Sequence, residues 1–138
     1  MKFTGRYSKA AGLLLALLTL AATARAGART VLVIKSADIP QYQAPLDAFR
    51  RSTGAETVIV DLGGSRQGGE AAIRKALEAG KPDAIFALGG QAAWLGRRVL
   101  PDTPLVFAMV LGWQRYGLSE GPVTGVAVEM PALDVLTR

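Results

Sequence analysis

The residue types that usually carry enzyme chemistry are sparse in this chain. It contains neither histidine nor cysteine, which excludes Ser-His and Cys-His nucleophile pairs, Cys/His metal clusters and an imidazole base. Lys35 and Ser36 are adjacent, and neighbouring strand residues point to opposite faces, so they do not form a Ser-Lys dyad. Asp38, Asp61 and Asp83 fit strand ends and helix caps. The sequence therefore predicts a protein that is not an enzyme, with no metal and no cofactor.

A glycine-rich turn at 62–69 nearly matches two catalytic motifs. The letters GGSRQ at 63–67 approach a nucleophile elbow, but Gln67 stands where the second glycine belongs. Gly63 and Gly68 have the separation of a phosphate-binding loop, but Gly69-Glu70 replaces the Lys-Ser/Thr that would contact phosphate and magnesium. Both matches fail, so the turn is predicted to serve backbone geometry.

Binding chemistry is better represented at Gly89-Gly90-Gln91. These residues bring bare backbone N–H groups to a predicted helix N-terminus, which suits an anion such as a carboxylate. The structural alternative is a tight turn that needs positive φ, and the sequence leaves both interpretations open. Tyr42 is a further candidate for stacking on a ligand, although its helical spacing with Leu46 favours a core position.

Short β-branched runs alternate with helical stretches from Arg29 onward. Strands are predicted at 30–34, 56–61, 83–88 and 105–110, with a last extended segment at 123–130. The alternation predicts an α/β fold built from right-handed βαβ units. We expect an open parallel sheet in the order 2-1-3-4, with or without a fifth strand, covered by helices on both faces.

Ligands of such sheets lie beyond the carboxyl ends of the strands, where the strand order reverses. A binding site is therefore expected where the predicted strands end: Ser36-Ala37, Leu62-Gly63, Leu88-Gly89-Gly90 and Met109-Val110.

The first 26 residues have the pattern of a cleaved secretory signal. An apolar run at 10–22 follows a basic start, and Ala24-Arg25-Ala26 suits a signal peptidase, with cleavage after Ala28 as an alternative. The run is shorter than the roughly 20 residues that span a bilayer, which argues against an uncleaved anchor. Without cysteine there is neither a disulfide nor a lipoprotein anchor. The sequence predicts a periplasmic protein.

The net charge of +5 is concentrated in this leader. Twelve basic residues face eleven acidic ones once its four basic residues are removed: Lys2, Arg6, Lys9 and Arg25. A nearly neutral mature chain does not favour nucleic acid as a partner.

Four segments, taken in order, resemble ABC-transporter substrate-binding proteins of the TrpX-like type. They are VLVIKSADIPQYQAPLDAF, PDAIFALGGQAA, PLVFAMVLGWQRYGL and VTGVAVEMPALDVL, and the resemblance runs from Thr30 to the end of the chain. It implies a periplasmic-binding-protein fold, uptake of a small solute such as an amino acid, and an ABC permease in the inner membrane as partner.

The resemblance also implies where the ligand contacts fall. On this lobe they lie near Ser36, at Gly89, Gly90 and Gln91, and just after Val110. The chain departs from the family at Gly112-Trp113, where relatives usually have an Asx-Pro or similar turn. It also departs at Gly90, where a small hydroxyl residue is common. These departures leave the identity of the ligand open.

Such proteins have two lobes that close on the ligand, and this chain matches the first. The expected organisation is a signal peptide at 1–26, an N-terminal lobe at 27–130 and the start of a crossover at 131–138. A single lobe is expected to bind its solute weakly, and an orphaned surface around Trp113, Tyr116 and Met130 to favour self-association. The alternatives are a stand-alone receiver-like or flavodoxin-like interaction module and a non-functional gene fragment.

Overall fold

The structure is a computed structural model that describes residues 29–129. The strands are β1 Thr30–Lys35, β2 Glu56–Asp61, β3 Ala84–Leu88, β4 Leu105–Leu111 and β5 Val123–Val128. The α-helices are α1 Gln43–Ser52, α2 Arg66–Ala76 and α3 Gly90–Val99, and 3-10 helices span Pro40–Tyr42, Leu77–Ala79 and Trp113–Tyr116. The predicted signal peptide and crossover lie outside the described residues, as does Met130.

The strands form one sheet in the order β2-β1-β3-β4-β5, and every neighbouring pair is parallel. The predicted α/β class and strand order are confirmed, and the fifth strand is present. Between β1 and β3 the strand order reverses, since the chain adds β2 on one side of β1 and later strands on the other. A binding site is expected at this reversal.

Helices pack on both faces of the sheet, as predicted. Residues of α2 and α3 join one face in the larger core cluster, whose fully buried side chains include Ile34, Ile73 and Leu95. Helix α1 covers part of the other face through Leu46 and Phe49, and the Phe49 ring stacks on Phe86 with centroids 4.4 Å apart.

On the α1 face, the helix covers the centre of the sheet and leaves β4 and β5 partly exposed. Val33 in β1 is 0% exposed, whereas Val106 in β4 is 41% exposed and Val126 in β5 is 72% exposed. All three belong to apolar strand sequences, so the difference comes from how far α1 reaches across the sheet. No helix within residues 29–129 is both long and apolar enough to cross a membrane.

The glycine-rich turn between β2 and α2 has the backbone role predicted for it. Gly63 and Gly64 both have positive φ, 56° and 73°, a conformation that favours glycine. Ser65 is the N-cap of α2, and its side chain accepts a hydrogen bond from the Gly68 N–H at 3.2 Å. The serine of the failed elbow motif is thus a helix cap.

Candidate functional site

Ser36 links the carboxyl ends of β1 and β3. Its N–H donates to the Leu88 carbonyl at 3.0 Å, and its hydroxyl oxygen accepts a hydrogen bond from the Ala92 N–H at 2.9 Å. Helix α3 begins at Gly90, and its N-cap Gly89 has no side chain to offer. Ser36 therefore satisfies one of the free N–H groups at the helix start from a different strand, the task a local N-cap side chain usually performs.

Gly89 is required at this junction on two grounds. Its φ is 89°, which other residues rarely adopt. A Cβ there would also collide with the Tyr42 hydroxyl and lie 2.6 Å from the Ser36 Oγ. The tight-turn interpretation of this glycine is therefore correct, and the same geometry brings three candidate residues together.

Tyr42 combines a core position with a place beside the site. Its side chain is buried in the smaller core cluster with Leu46, as their spacing predicted. Because its hydroxyl reaches Gly89, the ring spans the distance from the core under α1 to the start of α3. Tyr42 thus supports the junction from one side.

Tyr116 covers the start of α3 from the other side. A Cβ at Gly90 would collide with the Tyr116 ring, so the ring lies directly against the backbone of the helix N-terminus. Tyr116 ends the 3-10 helix Trp113–Tyr116, which is flanked by Gly112 and Gly117, both left-handed. The space left by the missing side chain at Gly90 is filled by an aromatic ring.

Gln91 carries a hydrogen-bond donor without a partner. Its side-chain Nε2 is buried and makes no hydrogen bond within the described residues. An unsatisfied buried donor costs about 1–3 kcal/mol, so native structures seldom keep one without a reason. Gln91 is the second residue of α3, beside the helix N–H groups that favour an anion.

Val110 is placed differently from the other predicted contacts. Its side chain is fully buried in the larger core cluster. The preceding residue, Met109, has a φ of 59° and lies at the register shift between β4 and β5. A bulge of this kind re-aims the side chains near a strand end. Contact between the segment after Val110 and a ligand stays a prediction.

The buried Lys35 side chain forms ion pairs with two more exposed carboxylates at the end of β1. Its Nζ lies 2.6 Å from the Asp38 Oδ1 and 3.4 Å from the Asp61 Oδ2. The hydrogen bond with Asp38 raises the pKa of the Lys35 ammonium above its usual 10.5, against the opposing effect of burial, and Asp61 adds to the rise. The amine therefore stays protonated, while Ser36 faces α3. Lys35 and Ser36 thus engage different partners.

A basic and aromatic surface next to the site was not anticipated from the sequence. The guanidinium carbons of Arg66 and Arg98 lie 5.2 Å and 5.3 Å from the Trp94 ring centroid, within cation–π range. Arg66, Trp94, Arg115 and Tyr116 line a cleft of about 360 Å³. The only sequence signal was the cluster WQRY between two glycines, which does not say where its side chains point.

The fold and the strand-end junction define a class. A parallel sheet in the order 2-1-3-4-5, with helices on both faces and polar groups at the reversal between β1 and β3, is a doubly wound α/β fold with its ligand site expected at that reversal.

A solved structure supports this class. The chain is similar to the ABC domain from Streptococcus pneumonia in complex with L-Trp, with a TM-score of 0.61 and 18% sequence identity. The match covers 73% of this chain and 39% of that one, so the chain corresponds to about two fifths of its length. A scan of protein-family models and a search of curated proteins each give no match. The likeness establishes the fold, and the predicted resemblance to one lobe of a substrate-binding protein is confirmed at that level.

Proposed function

We propose that this chain supplies one lobe of the solute-binding component of an ABC uptake system, for a small solute with a carboxylate, such as an amino acid. The observation that carries the proposal is the buried Gln91 Nε2 beside the N-terminus of α3, which has no hydrogen-bond partner within residues 29–129. A carboxylate oxygen is the acceptor that this donor lacks.

Several features of the junction favour a carboxylate. The first N–H groups of a helix and its dipole attract negative charge. Ser36 already occupies the Ala92 N–H, which leaves the start of α3 at Gly90 and Gln91 for a ligand. The Tyr116 ring lies directly against the Gly90 backbone, so an aromatic ring lines one side of this position.

An aromatic amino acid is the first ligand to test. Tyr116 borders the junction from the segment after β4, and the similar solved domain is in complex with L-Trp. Flat apolar rings of this kind accept the side chain of an aromatic solute by stacking. Periplasmic residence and docking on a permease belong to the same proposal, and the leader pattern supports the first of them.

Affinity is expected to be low for the lobe alone. Two-lobed binders bury most of the ligand between both lobes. Each Å² of apolar ligand surface that stays in water reduces the binding free energy by about 25 cal/mol. A loss of about 4 kcal/mol converts micromolar binding to millimolar binding. Micromolar binding by the monomeric 138-residue chain would contradict this expectation.

The test is an NMR titration of the chain with L-Trp, L-Phe, L-Leu and tryptamine, which lacks the carboxylate. We expect L-Trp to shift the Gly90 and Gln91 amides and tryptamine to leave them unchanged. Gln91→Leu should weaken binding about tenfold, the effect of losing one charge-assisted hydrogen bond. The matched control Gln67→Leu, on the exposed start of α2, should have no effect. Equal shifts with tryptamine, or binding unaffected by Gln91→Leu, would refute the assignment.

A further inference from the structure

The cleft lined by Arg66, Trp94, Arg115 and Tyr116 is built from segments that follow three different strands. Arg66 begins α2 after β2, Trp94 lies in α3 after β3, and Arg115 belongs to the 3-10 helix after β4. We refer to it as the arginine cleft. It lies at the carboxyl ends of the strands, the edge at which parallel sheets of this kind bind their ligands.

The arginine cleft adjoins the proposed carboxylate position. Gly90 and Trp94 are four residues apart in α3, so they lie on the same face of that helix. The Tyr116 ring lies against Gly90, and the same side chain lines the cleft. A ligand held at Gly90 and Gln91 therefore has the cleft beside it along α3.

Three arginines in and beside the cleft have no acidic partner in the described part of the chain. None of the ion pairs within residues 29–129 includes Arg66, Arg98 or Arg115. Glu70 pairs with Arg74 at 2.8 Å, and the pKa of its carboxyl is lowered first by that bond and least by Arg98. The positive charge of the cleft is thus left for an anion.

Glu129 does not neutralise Arg115. The two residues line an adjoining cavity, but the Glu129 carboxylate accepts a hydrogen bond from the Trp113 Nε1–H at 3.1 Å. Glu129 and Arg115 form no ion pair among the described residues.

The arrangement of charge around Trp94 is unfavourable without an anion. Arg66 is the first residue of α2, where the helix dipole disfavours a cation. The guanidinium groups of Arg66 and Arg98 both lie over the Trp94 ring, and like charges held at one ring repel each other. A bound anion offsets both effects.

The donor groups of the cleft are also free. Within residues 29–129, the arginine side chains that donate hydrogen bonds are those of Arg74 and Arg97. A cation–π contact uses the charge of Arg66 and none of its N–H groups. Arg66 and Arg115 therefore keep the planar set of donors that binds a carboxylate with two parallel hydrogen bonds.

We propose that Arg66 and Arg115 bind a second acid group of the solute, which makes the solute an aromatic amino acid with an additional carboxylate. This inference rests on the proposed function, in which the first carboxylate lies at Gly90 and Gln91. The ring of the solute then lies between its two acid groups, beside Tyr116. Charge complementarity selects this solute over a neutral one of the same shape.

Two ligands of equal shape test the inference by NMR titration of the 138-residue chain. They are para-carboxy-L-phenylalanine and para-carbamoyl-L-phenylalanine, whose ring substituent is uncharged. We expect the carboxy ligand to bind about tenfold more tightly and to shift the Arg66 and Arg115 Nε–H signals. This preference should shrink between about 20 mM and 500 mM salt, because exposed charges are screened.

Substitutions separate the arginine cleft from the rest of the surface. Arg66→Gln and Arg115→Gln change exposed side chains; each should reduce the preference for the carboxy ligand about threefold, and together they should abolish it. The matched control Arg50→Gln, on exposed α1, should leave it unchanged. Equal affinities, no binding of either ligand up to about 50 mM, or a preference that survives the double substitution overturns the inference.

Gln91→Leu distinguishes this inference from the proposed function. If L-Phe shifts the Gly90 and Gln91 amides and the added carboxylate gives no gain, the inference is wrong and the proposed function stands. If the preference persists and depends on both arginines while Gln91→Leu has no effect, the role of Arg66 and Arg115 is upheld and the carboxylate position at Gln91 is refuted.

Discussion

Strands β1 and β4 have the same kind of sequence and different surroundings. TVLVIK and LVFAMVL are both apolar runs of β-branched and large residues. Along β1 every residue from Val31 to Lys35 is buried, whereas β4 alternates between buried and exposed positions. An apolar run therefore identifies a strand of the sheet without saying whether both of its faces are covered.

The connections between strands explain this difference. The chain supplies one helix in each of the connections β1–β2, β2–β3 and β3–β4, and these helices cover the centre of the sheet. Between β4 and β5 there is only the 3-10 helix Trp113–Tyr116, which lies at the strand ends. The outer strands thus lack a helix on the α1 side, and Val106 and Val126 remain exposed.

The largest expected effect on stability comes from making the same Val→Ala substitution in β1 and in β4. Val33→Ala should lower the free energy of unfolding by about 2–3 kcal/mol, because it removes buried methyl groups and leaves a cavity. Val106→Ala should cost less than about 1 kcal/mol, since solvent already reaches the side chain. Urea denaturation of both variants gives the comparison. Equal losses would mean that the two strands are equally covered.

A medium effect on stability is expected at the contact between Tyr116, in the segment after β4, and Gly90, at the start of α3. Gly90→Ala places a methyl group in the space of the Tyr116 ring and should destabilise the chain by about 1–3 kcal/mol. In a Tyr116→Ala background the same change should be nearly neutral. A double-mutant cycle from denaturation curves measures the coupling. Additive effects would show that the ring does not rest on Gly90 in solution.

The smallest effect concerns the ion pairs at the end of β1. The pKa of Lys35 is raised above 10.5 in the folded chain, so its stabilising contribution is complete below pH 10.5 and is lost as pH rises through the folded pKa. The midpoint temperature of thermal unfolding should therefore fall more steeply above pH 10.5 for the wild type than for Lys35→Met. Lys75→Met, on an exposed part of α2, is the control. Parallel curves for the wild type and Lys35→Met would contradict the ion-pair assignment.

Much of the fold was determined by the sequence itself. The alternation of apolar runs and helical spacing, together with glycine and proline at the boundaries, specified the class, the strand order and the three helices. The spacing of Tyr42 and Leu46 specified their core position. These features depend on local periodicity and on the general handedness of βαβ units, which one chain is enough to reveal.

Tertiary structure alone decided how the candidate site is assembled. The Ser36 hydroxyl caps a helix that begins 54 positions later in the chain, and Tyr116 fills the space over Gly90. The buried Gln91 donor, which has no partner within residues 29–129, and the position of β5 at the edge of the described sheet are equally invisible in a residue pattern. Each depends on where loops from separate strands converge and on which strand ends the sheet. Periodicity describes the environment of a residue along its own element, whereas these contacts join elements that only the folded chain brings together.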